Sequence, residues 1–174
     1  GIDGNAMELS LEIDPEGAPM VELNVLRSPD REEYTRIMFY KDRGFRVQRP
    51  SVQQGALLAT GEPVVSPHGQ PRPTFVHESV ITLDSSYSSS LPDALSRPPE
   101  SAPLVMAPGE ALRLRVFIDR SVVEVFANGR QCVAARVYPG RDDSTGVSLR
   151  SQGGEAKLVS LDAWQMKNIY ANQG

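Results

Sequence analysis

Leu112-Arg113-Leu114-Arg115-Val116-Phe117-Ile118-Asp119-Arg120-Ser121-Val122-Val123-Glu124-Val125-Phe126-Ala127-Asn128-Gly129 decides the fold class. Leu112, Leu114, Val116 and Ile118 alternate with Arg113, Arg115, Phe117 and Asp119, the period-two pattern of a half-buried strand. Asp119-Arg120-Ser121 interrupts the pattern, and Val122-Val123-Glu124-Val125-Phe126 resumes it. Asn128-Gly129 is the strongest short hairpin signal, because both residues tolerate the positive φ of a type I′ turn. The stretch 130–138 then pairs back across that turn. Strands are expected at 112–118, 122–127 and 131–138.

The same reading extends in both directions. In Met7-Glu8-Leu9-Ser10-Leu11-Glu12-Ile13 the odd positions are apolar and the even ones polar, giving a strand at 7–13. Asp14-Pro15-Glu16-Gly17 supplies a turn. Val21, Leu23 and Val25 continue the alternation until Ser28-Pro29-Asp30. Thr35-Arg36-Ile37-Met38-Phe39-Tyr40 reads as a strand, and a short one follows at 45–48 after Asp42-Arg43-Gly44. Residues 49–75, with Pro50, Pro63, Pro67, Pro71 and Pro73, read as a long surface excursion pinned at Ala56-Leu57-Leu58-Ala59. A strand returns at 76–84, and 85–109 is expected to be irregular. Beyond Pro139-Gly140, strands near 145–151 and 155–166 complete a meander. No amphipathic helix competes. The expectation is an all-β, two-sheet antiparallel β-sandwich of jelly-roll or concanavalin-like kind, with about ten to twelve strands. Leu9, Leu11, Leu23, Ile37, Leu114, Val116, Val123 and Val125 should fill its core, together with Phe39, Phe126 and Trp164.

Composition agrees with one module over 1–174, with 49–75 as a loop insertion. The 174 residues are 40% hydrophobic and 23% charged, within the globular range. A formal net charge of −4 argues against a nucleic-acid surface, which needs clustered positive charge. No apolar stretch approaches the roughly 18–20 residues that a membrane span requires, so no membrane partner is expected. No charged segment followed by an apolar one marks a signal peptide, and the compartment stays open between secreted, periplasmic and cytoplasmic. Cys132 is alone, so no internal disulfide forms. His68 and His77 supply too few ligands for a closed metal site. Neither a metal nor a cofactor is expected.

The stretch 112–129 resembles the signature of the C-terminal β-sandwich module of glycoside hydrolase family 32, the invertases, inulinases, levanases and other β-fructosidases. Tyr138-Pro139 is similar to the family's aromatic-Pro pair, and Ser144-Thr145-Gly146-Val147 and Leu158-Val159-Ser160-Leu161-Asp162-Ala163-Trp164-Gln165-Met166 to its last two strands. Leu83-Asp84-Ser85-Ser86-Tyr87-Ser88-Ser89 is similar to its Asp-Arg-Ser-x-Ser segment, with Ser85 where Arg is usual. The stretch 7–40 resembles the opening strands. The resemblance implies a non-catalytic accessory module. In the family the chemistry resides in an N-terminal propeller with Trp-x-Asn-Asp-Pro, Arg-Asp-Pro and Glu-Cys segments. None occurs here: Trp164 is the only Trp, and Cys132 follows Gln131. The implied partner is the catalytic propeller of the same polypeptide, with an oligosaccharide as the alternative partner of a carbohydrate-binding module.

The chemistry-bearing residues of the motif are Asp119, Arg120, Ser121, Glu124, Phe126 and Asn128. Asp119 and Glu124 could form an acid/base pair. The favoured reading gives Asp119 a turn role, accepting local backbone hydrogen bonds, and puts Glu124 on an outward face opposite Arg113, Arg115 or Arg136. No catalytic residue is assigned. The Ser85–Ser90 run is read as turn-forming and solvated, since a serine nucleophile needs a nearby base. Tyr34, Tyr40 and Tyr87 are the candidates for stacking on sugar rings.

Overall fold

A computed structural model describes residues 1–48 and 74–167. The expected excursion over 49–75, with Ala56-Leu57-Leu58-Ala59 and His68, thus lies outside the described residues up to position 73. The described residues form strands joined by turns and loops, without a helix. The strands are β1 (Ala6–Asp14), β2 (Met20–Arg27), β3 (Thr35–Gln48), β4 (Thr74–Asp84), β5 (Glu100–Leu104), β6 (Leu112–Asp119), β7 (Val122–Ala127), β8 (Gln131–Arg136), β9 (Gly146–Gln152) and β10 (Lys157–Gln165).

They pair into two five-stranded sheets, ordered β10-β1-β6-β7-β8 and β5-β4-β3-β2-β9. Every pairing is antiparallel. Alternation decides which side of each strand faces the other sheet. Leu9 pairs with Val116, and Val116 with Val125, so one transverse row of the first sheet is wholly apolar and inward. Val21, Phe39 and Ile81 make the equivalent row of the second sheet. The eight expected core residues are each 3% exposed or less, and Phe39 is buried among them. Each such side chain contributes on the order of 1.5–3 kcal/mol through burial.

The structure corrects the sequence reading at several elements. β3 does not break at Asp42-Arg43-Gly44. It runs on to Gln48 through a bulge against β4, with Asp42 at φ +52 absorbing the kink. β5 lies inside the stretch read as irregular. It is an edge strand containing Pro103, which masks the alternation, and edges are where strands accept proline. The strand expected over 131–138 stops at Arg136. Val137 instead donates its N–H to Ser121 O as the chain turns toward the second sheet.

The turns follow local chemistry. Asn128 and Gly129 take φ +50 and +62, and Arg130 N donates to Ala127 O at 3.0 Å, closing the β7–β8 hairpin. At the β6–β7 turn Arg120 takes φ +52, and its N–H donates to Asn5 O at 2.6 Å. Asp14 Oδ1 accepts the Glu16 N–H at 2.9 Å at the crossing from β1 to β2, an Asx-type turn.

Candidate functional site

Three surfaces gather the polar and aromatic groups that could act on a partner or ligand. The first is the outer face of the β10-β1-β6-β7-β8 sheet. Strand register places Trp164, Glu8, Phe117 and Glu124 in one transverse row, and Asp162, Ser10, Arg115, Phe126 and Cys132 in the next. Phe117 and Phe126 meet edge to face with centroids 6.0 Å apart, and the Arg115 guanidinium lies over the Phe117 ring at 5.2 Å. Arg115 Nε donates to Glu8 Oε1 at 2.5 Å, and the Arg113 guanidinium to Glu12 Oε1 at 3.4 Å. Glu124 therefore does not receive the expected cross-strand arginine. Its direct neighbours are Phe117 and Ala134, while Arg113 and Arg115 are taken up by β1. Burial, with Glu124 adding to it, pushes the Cys132 thiol up from its ordinary value.

Two aromatics on this face were expected inside. Phe126 is 39% exposed and Trp164 50% exposed. Period two explains both. Val123, Val125 and Ala127 point inward, so Phe126 points out. Leu161 pairs with inward Leu11 and Trp164 with outward Glu8, so a three-residue spacing puts Leu161 and Trp164 on opposite faces.

The second surface is the end of the sandwich carrying the motif turn. Glu33, 0% exposed, accepts hydrogen bonds from Ser90 N and Oγ, Gly140 N, Arg141 N and Ser144 Oγ at 2.6–3.1 Å. Burial alone would raise its pKa, but these donors outweigh burial and hold it at about 2. The carboxylate thus ties the loop after β4 to the loop after β8. Beside it lies a cavity of about 370 Å³ bordered by Arg120, Ser121, Tyr138, Leu91 and Arg141. Asp119 is exposed at the turn, and no hydrogen bond to its carboxylate forms among the described residues. The turn role expected of it falls to the Arg120 N–H. Asn128 works at the far end of the sheet: its Oδ1 accepts the Arg113 N–H at 2.8 Å, and its Nδ2 donates to Glu110 Oε1 and Ala111 O. Arg130, together with the Ala107 N–H and Asn128, holds Glu110 at a pKa of about 2.

The third surface is the outer face of the β5-β4-β3-β2-β9 sheet. Tyr34 stacks on Tyr87 with centroids 5.2 Å apart, and Arg36 sits over the Tyr87 ring at 5.0 Å. Arg36 Nε also donates to Asp84 Oδ2 at 3.1 Å, so Asp84 has its ion pair from β3 rather than from position 85. Tyr40 donates its hydroxyl to Met38 Sδ at 3.1 Å. It lies six residues along the strand direction from Tyr34, about 20 Å away. The structure brings Tyr34 and Tyr87 together and keeps Tyr40 apart. Glu22 is buried beneath this face, and burial opposes its ionisation. Hydrogen bonds from Arg150 and Asn24 nevertheless hold its pKa below the ordinary carboxylate value. The serine run is turn-forming as read, but not wholly solvated: Ser88 is buried, with its Oγ 2.7 Å from Thr35 Oγ1.

Residues 1–165 match the family described as "Glycosyl hydrolases family 32 C terminal". The chain belongs to that family. Among relatives of this family 32 module, the "Fructan 6-exohydrolase" of Beta vulgaris is 42% identical over 67 residues, 36% of this chain and 11% of that protein. The "Levanase" of Bacillus subtilis (strain 168) is 39% identical over 72 residues, 41% of this chain and 10% of that protein. The matched stretches thus span about a tenth of those curated relatives. The fold recurs in the fructan 1-exohydrolase IIa of Cichorium intybus, with a TM-score of 0.66 at 18% identity. That match covers 97% of this chain and 32% of the other. The exo-inulinase of Aspergillus awamori also gives 0.66, at 19% identity, over 96% of this chain and 26% of its own.

Sequence reasoning singled out the family 32 motif turn but missed Glu33 and Glu22. Glu33 left no local signal, because it finds its partners 57 to 111 positions away, and Glu22, although bonded to Asn24 two residues on, finds its counter-charge Arg150 128 positions away. The outward aromatics did leave one, in the alternation already used for their neighbours.

Proposed function

We propose that this chain is the non-catalytic C-terminal accessory module of a β-fructosidase, packing on and stabilising a catalytic propeller of the same polypeptide. The observation that carries the reading is the match of residues 1–165 to the family's C-terminal module, and six carboxyl groups agree with it. Retaining glycoside hydrolysis needs an acid whose pKa is held up, facing a nucleophilic carboxylate about 5–5.5 Å away. Here Glu22, Asp30, Glu33, Asp84, Glu110 and Asp143 are all shifted down by hydroxyl, amide or guanidinium partners. Carboxylates so held fasten loops and strands, and are the wrong groups to protonate a leaving oxygen near neutral pH. The names of the relatives support a parent that acts on fructosyl substrates, and the short matched stretches support chemistry placed elsewhere in such a parent.

For the packing surface, the end bearing the motif turn offers the best chemistry. Leu95 is 82% exposed there, near Tyr138, and the cavity between Leu91, Arg120 and Ser121 adds apolar relief with polar groups at its rim. Residues 3–5 are tied to the same end, through the Asp3–Gly146 bridge and the Gly4 N–H on Thr145 O. Exposed apolar groups rimmed by polar ones suit a contact within one polypeptide.

The test has two arms. The purified chain should release no fructose from sucrose, inulin or levan above a buffer control. Added to the separately expressed catalytic domain of its parent, it should raise that domain's melting temperature, and Leu95→Asp with Tyr138→Ala should abolish the rise. Hydrolysis by the chain alone, lost on Asp119→Asn or Glu124→Gln, would overturn the reading.

A further inference from the structure

We propose that Asn128 is a modification site, where the chain ages by intramolecular deamidation, and that Glu110, Ala111 and Arg113 restrain the reaction in the intact fold. The step needs no enzyme. The Gly129 nitrogen attacks Cγ of Asn128, and the new N–C bond closes a cyclic imide. Nδ2 leaves as ammonia, taking up the proton that the Gly129 nitrogen loses. Water then opens the ring at either carbonyl, giving Asp or its isomer joined through the side-chain carboxyl. The inference is independent of the packing role.

Position 128 is the asparagine best placed for this chemistry. Of the five asparagines in the chain, Asn128 alone precedes a glycine. Gly129 is exposed and has open space where a Cβ would stand, so no side chain crowds the attacking nitrogen. Asn24, by contrast, is buried within β2 and precedes the β-branched Val25.

The fold opposes the attack. Asn128 Oδ1 accepts the Arg113 N–H at 2.8 Å, while Nδ2, the leaving group, donates to Glu110 Oε1 at 2.9 Å and Ala111 O at 3.0 Å. These partners lie 15 to 18 positions away on the chain entering β6, so the carboxamide is turned toward a neighbouring strand. Bringing Cγ over the Gly129 nitrogen means rotating the side chain out of all three bonds. Glu110 is itself fixed, by Arg130 Nη1 at 2.9 Å and the Ala107 N–H at 2.8 Å. The product reverses the contact. A carboxylate at 128 turns an oxygen toward Glu110 Oε1 and Ala111 O, where Nδ2 had donated to both. The isomer also lengthens the main chain of a two-residue turn that the Arg130 N–H closes on Ala127 O. Deamidation therefore loosens the β7–β8 hairpin irreversibly.

The chain is incubated at mildly alkaline pH, folded and in urea, and the tryptic peptide 121–130 is followed by mass for conversion of amide to acid. The unfolded chain should convert at least about tenfold faster than the folded one, because folding removes the reactive rotamer. Glu110→Ala should speed the folded reaction about threefold or more by freeing Nδ2. Glu110→Gln, which keeps an acceptor, should stay near the parent rate. Asn128→Asp, standing for the product, should lower the melting temperature, and Glu110→Gln added to it should recover part of the loss. Melting curves establish that each variant is folded at the incubation temperature. If Glu110→Ala does not fold, the folded and unfolded rates of the parent chain decide. Equal rates in those two states would overturn the proposal. So would a Glu110→Ala rate equal to the parent's, or an Asn128→Asp chain that melts with the parent.

Discussion

Single residues carry two kinds of information here, and only one is local. Gly129 sits at φ +62 with open space where a Cβ would go, so its cost of substitution is conformational rather than steric. Gly129→Val should destabilise by about 1–2 kcal/mol, the usual penalty of left-handed backbone for an L-residue, while Gly17→Val, with open space and no positive φ, should cost much less. Chemical denaturation of the two variants measures the difference. That turn was readable because Asn-Gly states its own φ preference. Glu33 is the opposite case, since nothing in Glu32-Glu33-Tyr34 announces donors at 90, 140, 141 and 144. Its folded pKa of about 2 lies below the ordinary value of 4.5, so its stabilisation is complete above about pH 4.5 and is lost as pH falls toward 2. Glu33→Gln should lower stability at neutral pH by about 3 kcal/mol, through donors left poorly matched. It should also flatten the acid limb of a stability–pH curve. An unchanged acid limb would remove Glu33 from that role.

At the scale of elements, position in the sheet decides what a leucine is worth. β1 lies between β10 and β6, and Leu11 is buried against the opposing sheet. β10 is an edge strand, and Leu158 remains 44% exposed. Leu11→Ala should cost about 2–5 kcal/mol, and Leu158→Ala less than about 1 kcal/mol. Equal losses in urea titrations would mean that β10 packs more deeply than its register implies. Alternation alone located β1, β6 and β7, because a half-buried strand writes its inward side into the sequence. β5 escaped since Pro103 stands in a five-residue edge strand. β3 looked broken because Asp42-Arg43-Gly44 is turn chemistry that the sheet used for a bulge instead. The candidate surfaces were legible only in part. The motif turn at 119–121 could be read, while the aromatic face required applying the period to Phe126 and Trp164 as strictly as to their neighbours.

For the whole molecule, the pairing pattern is dominated by partners distant in sequence. β1 pairs with β6 and β10, and β2 with β9. Proteins of this kind fold on the order of milliseconds to seconds rather than microseconds. Stopped-flow refolding of the chain should fall in that range, and a microsecond phase carrying the full amplitude would contradict the pairing described. The same register sets a timetable for synthesis. Ala6 leaves the ribosome long before Asp119, its partner across the ladder, and Met7 longer still before Gln165. At about 5–20 residues per second, the first strand waits roughly 5–20 s for one neighbour and longer for the other. Throughout that delay both backbone edges of β1 lack their hydrogen-bonded partners, and its apolar side, Met7, Leu9, Leu11 and Ile13, is not yet held in a sheet of its own. A nascent chain of this topology is therefore most at risk of aggregating through its earliest strand, and a stop codon placed before Lys157 would leave that strand's outer edge unpaired for good.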